Sequence, residues 1–162
     1  MKYFLDTKFI ENGRTLDLIS IGIVSEDDRR LYLQNEECDF RAATDWVWRN
    51  IYPRLEHFHM AGCTSCGSES GICKIGIHGP PEFWGYCPAY DWVAFCQLFG
   101  TMFQLPNEFP PYCRDVRQWA DQLGIDKIPL PSIGRDHALF AAKGVKSAYE
   151  FLSKISLPKP AS

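Results

Sequence analysis

The spacing of apolar and polar positions changes period along the chain, and each change marks a predicted element. Met1 to Thr7 alternates as a strand, with Tyr3 and Leu5 on one side and Phe4 and Asp6 on the other. Asn12 and Gly13 supply a turn, and Leu16 to Val24 reads as a buried strand rich in Leu and Ile. The charged run Ser25 to Arg30 turns the chain again, and Leu31 to Gln34 returns as a third strand. Phe40 to Tyr52 carries Trp46, Val47 and Ile51 at helical spacing, which predicts a helix limited by Pro53. The clearest stretch is Pro81 to Gly100. Glu82 to Tyr86 is a short aromatic strand, Pro88 interrupts it, and Ala89 to Phe99 places Trp92, Phe95, Cys96 and Phe99 on a helix. Leu105 to Pro111 is a proline-punctuated loop, Tyr112 to Val116 a short strand, and Arg114 to Leu123 a helix closed by Gly124. Lys127 to Arg135 is extended. Ala138 to Ile155 forms the last helix, with Leu139, Ala142, Val145, Tyr149 and Leu152 along one broad face. Strands first, then helices alternating with short strands, predict an α/β domain over residues 1–156, a mixed sheet flanked by helices. Residues 157–162, with two prolines, read as a frayed tail.

Composition narrows the functional classes. With 162 residues and 46% hydrophobic content, the chain suits one core rather than two. A net charge of -3 argues against a broad basic surface for nucleic acid, although a metal-loaded acidic cleft would escape that objection. No apolar run approaches the roughly 20 residues of a bilayer span, and charges interrupt the N-terminal stretch where a signal core would lie. The expectation is a cytoplasmic protein with no membrane partner. Seven cysteines cannot all pair within one chain, which agrees with a reducing compartment.

Two groups of residues carry candidate chemistry. Asp91 stands at a helix start just past a strand end, and Asp6 stands on the first strand. A carboxylate at a helix N-terminus is favoured by the helix dipole alone; a metal centre at a sheet edge needs both. The second group lies in an insertion spanning about 54–80. There Cys63, Cys66 and Cys73, with one of His59, His78 or His57, have the residue types of a structural zinc site. The alternative is a loop of free thiols or an incidental disulfide. Cys87, Cys96 and Cys113 read as small apolar core residues. Of Phe83, Trp84, Tyr86, Tyr90 and Trp92, those at the strand end could stack on an unpaired base.

The segments MKYFLDTKFIENG, LDLISIGIV, EFWGYCPAYDWVAFCQLFG and HALFAAKGVKSAYEFL, in that order, resemble the DEDDh exonucleases. More specifically, they resemble the small bacterial and phage 3'-5' exoribonucleases with a ribonuclease H-like fold, over roughly residues 1–34 and 81–152. The resemblance implies acidic residues that hold two divalent cations, Mg or Mn, and a histidine that activates water. Asp6 matches the first acidic position, but Lys8 stands where that motif has its glutamate. Asp91 matches the second motif. In the third, Asp136 falls at the histidine position and Ala141 at the aspartate position, with His137 one residue out of register. The leading expectation is therefore a degenerate family member that binds single-stranded RNA or DNA, or a protein partner, with Lys8 neutralising the acidic pocket. One alternative is an active exoribonuclease with a shifted Mg or Mn site built from Asp6, Asp91, Asp136 and His137. Another is a zinc-stabilised interaction module presenting the insertion.

Overall fold

Strand β1, Lys2–Glu11, and strand β2, Leu16–Ser25, form a long antiparallel hairpin, because alternate residues of both strands find apolar cover on either side. A computed structural model describes residues 1–55, 77, 79–130 and 134–156 of the chain. Strand β3, Arg30–Gln34, continues the meander antiparallel to β2. Strand β4, Glu82–Gly85, pairs parallel with the start of β1, and β5, Arg114–Asp115, pairs parallel with β4. The order is β3-β2-β1-β4-β5. This mixed five-stranded sheet flanked by helices is of the expected α/β class and consistent with a ribonuclease H-like fold.

Among the described residues four α-helices flank the sheet: α1, Asp45–Asn50, between β3 and β4; α2, Ala89–Gln97, between β4 and β5; then α3, Val116–Gln122, and α4, Ala138–Ser156. The two sheet faces have separate cores. On one, Tyr3, Leu5, Ile21, Ile23 and Phe83 enclose Phe95 of α2. On the other, Phe4 packs with Val116 and Ala120 of α3 and with Val145, Ala148 and Leu152 of α4. A third cluster joins Ile10 and Ile19 to Val47 and Ile51, which seats α1 at the far end of the hairpin.

Several boundaries differ from those the sequence suggests. The helix expected over Phe40 to Tyr52 divides into a 3-10 turn at Phe40–Ala42, then α1, then a second 3-10 turn at Tyr52–Arg54. Thr44 sets the break by accepting a hydrogen bond from the Val47 amide at 3.4 Å, so helix begins only after it. Cys96 is buried as expected. Cys87 is exposed, because the turn from β4 into α2 puts it in the left-handed region at φ 51. No helix among the described residues is long and apolar enough to cross a membrane.

Candidate functional site

The site forms where β4 ends early. Its pairing with β1 covers only Lys2 to Phe4, so among the described residues the next stretch of β1 has no strand on that edge. The chain turns at Pro88 into α2 and brings Asp91, in the first helical turn, against the uncovered edge. One Asp91 oxygen accepts from the Thr7 backbone N–H at 2.7 Å and from the Thr7 hydroxyl at 2.6 Å. The carboxylate thus satisfies a donor that a fourth-strand neighbour would otherwise take.

Asp6 and Lys8 lie two residues apart on β1 and so share a face. The Lys8 ammonium donates to Asp6 Oδ2, and the side chains are only 14% and 21% exposed. Burial pushes the Asp6 carboxyl up to about 7, against the lowering pull of Lys8 and with a further rise from the neighbouring charge of Asp91. Burial also raises Asp91, opposed by its two hydrogen bonds from Thr7.

The helix that completes the site is seated by a glycine. Gly22 is the cross-strand partner of both Asp6 and Tyr32, so the three form one row on the sheet. A Cβ on Gly22 would lie 2.4 Å from the Leu139 Cα and backbone N; only glycine lets the start of α4 sit on that row. Ala141, one turn into the helix, therefore borders a cavity of about 230 Å³ together with Asp6, Tyr86, Arg135 and Phe140. Phe140 is half exposed and has the Lys143 ammonium 4.7 Å from its ring centre.

Of the residues selected from the sequence, Asp6 and Asp91 come together with Lys8 between them in charge. Asp136 does not point its charge into this group: its Oδ2 accepts from Arg54 Nη1 at 2.8 Å. His137 is buried, stacked on Tyr32 at 4.4 Å and edge-on to Phe140 at 5.1 Å. Its carbonyl accepts the Ala141 amide and opens α4. Among the described residues, no three His, Cys, Asp or Glu side chains converge as a metal-binding group. The zinc ligand set of Cys63, Cys66, Cys73, His59, His57 and His78 lies outside the described residues. Sequence reasoning missed Thr7, Gly22, Arg135 and Phe140. Gly22 carried a signal, since glycine within a buried strand marks a close backbone approach.

Chemically, the cavity is lined by the Asp6 carboxyl, which is paired with Lys8, by the Arg135 guanidinium and by the exposed rings of Tyr86 and Phe140. The chain is similar to 3'-5' exoribonucleases from Mycobacterium tuberculosis, strains CDC 1551 / Oshkosh and ATCC 25618 / H37Rv. Each aligns over 134 residues at 37% identity, covering 80% of this chain and 79% of the relative. No protein-family model matches the chain.

Proposed function

The chain belongs to the family of these 3'-5' exoribonucleases, and from that membership we propose that it receives single-stranded RNA in the cleft over Asp6 without hydrolysing it. One observation carries the reading: the Lys8 ammonium is bound to Asp6 inside the acidic group. Two-metal phosphodiester cleavage needs several carboxylates to offset the charge of paired dications. This donor set does not fit such a pair. Asp6 is engaged by an ammonium, one oxygen of Asp91 is engaged twice by Thr7, and Ala141 supplies no ligand. Asp136 and His137, the replacements a shifted site would need, are held by Arg54 and by Tyr32. The rest of the cleft favours binding. Tyr86 and Phe140 are exposed aromatic rings on the cavity wall that a base could pack against, and Arg135 lines the same cavity.

The test uses 5'-labelled octaribonucleotides with Mg or Mn present, read by anisotropy for binding and by gel for shortening. Binding without shortening is expected, and Phe140→Ala should weaken it roughly tenfold, in line with about 1–3 kcal/mol per stacked base. Shortening from the 3' end that disappears in Asp6→Ala would overturn the proposal.

A further inference from the structure

His137 is only 8% exposed, and its ring contacts two others. It stacks on Tyr32 with 4.4 Å between centroids and 22° between planes, and it meets Phe140 at 5.1 Å and 62°. The three rings form a chain from β3 to the wall of the cavity over Asp6, where Phe140 is 50% exposed. Both ends of that chain follow from the backbone. Tyr32 stands in the cross-strand row of Gly22 and Asp6, and because Gly22 has no side chain, the start of α4 comes down onto the row and brings His137 against the tyrosine. Phe140 comes three residues later, the spacing at which side chains on a helix are neighbours.

The base of the Phe140 side chain is confined as well. The His137 N–H donates to the Gly134 carbonyl at 3.0 Å, closing a turn in which Gly134 has φ 85. A Cβ at Gly134 would lie 3.0 Å from the Phe140 Cβ, so the turn packs directly against the phenylalanine. An exposed side chain ordinarily samples several rotamers, and ordering it when a ligand arrives costs affinity. A ring already held in place escapes most of that cost.

We propose that Tyr32 and His137 are positioning residues for the RNA site: their stacked pair holds the Phe140 ring at the cavity wall, ready for a base to pack against it. The inference rests on the reading that RNA occupies the cleft. The histidine acts here as an aromatic spacer, and no proton transfer is asked of it.

Two measurements on the full chain separate the brace from the ligand. In the free protein, NMR with labelled phenylalanine follows the Phe140 ring, identified by the signal that Phe140→Ala removes. Tyr32→Leu should move that signal toward the position of a solvated phenylalanine, and Tyr32→Phe, which keeps the stacked ring, should leave it in place. A signal unmoved by both Tyr32→Leu and His137→Leu would overturn the brace. With the labelled octaribonucleotide, Tyr32→Leu should weaken binding roughly three- to tenfold, the range that ring pairs contribute, and Tyr32→Phe should retain the parent affinity. In a Phe140→Ala background, Tyr32→Leu should have no further effect, because residues that act through one another are not additive. An equal loss with and without the Phe140 ring would mean that Tyr32 serves stability alone, which sinks the positioning role and leaves the cleft standing. Failure of the parent to bind any RNA would overturn the cleft reading and the role in binding with it, while the NMR signal still decides whether the brace exists.

Discussion

A carboxylate beside an ammonium ordinarily gives up its proton more easily, yet at Asp6 burial prevails and the folded protein holds that proton up to about pH 7. The unfolded chain releases it near 3.8. Between those values the folded state binds more protons than the unfolded one, so stability falls as pH rises, and the loss is complete above the folded value. Asp91 is shifted in the same direction. Replacing Asp6 with Asn should remove its share: urea unfolding at about pH 5 and about pH 8 should show the variant gaining on the parent as pH rises. A change in the opposite sense would mean that Lys8 rather than burial governs the titration. At this scale the sequence singled out Asp6 as a match to the resembled motif and Lys8 and Ala141 as departures from it, through the positions they occupy. It could not show Thr7 holding Asp91, because that contact depends on β4 stopping short.

At the scale of elements, the cleft depends on α4 resting on Gly22. A methyl there would meet helix backbone, which cannot rotate away, so Gly22→Ala should cost at least about 1–3 kcal/mol and lower the melting temperature measurably. An unchanged melting temperature would mean that α4 is free to ride outward. The same helix was legible from its apolar face, and Ala142, Val145 and Leu152 are indeed buried. Strand β1 was not: it was expected to end at Thr7 and runs to Glu11, since Lys8 and Glu11 hide a pairing that β2 imposes. Trp46 shares helical spacing with the buried positions but faces outward, a choice made by how α1 docks on Ile10 and Ile19 rather than by periodicity.

Over the whole molecule, order is concentrated in the hairpin that both cores share. Tyr3, Leu5, Ile21 and Ile23 serve one face and Phe4 the other, so β1 and β2 are covered on both sides. Their amides should therefore exchange hydrogen most slowly, and the two-residue edge strand β5 should exchange much faster, as read by mass spectrometry or NMR. Equal protection of β5 would place the stable nucleus elsewhere. The sheet class was readable because each strand carries its own period. The pairing of Arg54 with Asp136 was not, since the two are 82 residues apart and meet only once the sheet has ordered both ends.

The seat at Gly22 has one more consequence. With no clearance between helix and strand, the separation of Ala141 from Asp6 is fixed by main-chain atoms and not by whatever side chains line the cleft. The scaffold is therefore a rigid jig whose charges are interchangeable. A protein engineer could rewrite Lys8 and Ala141 as carboxylates and change the electrostatics of the site while its dimensions stay as they are.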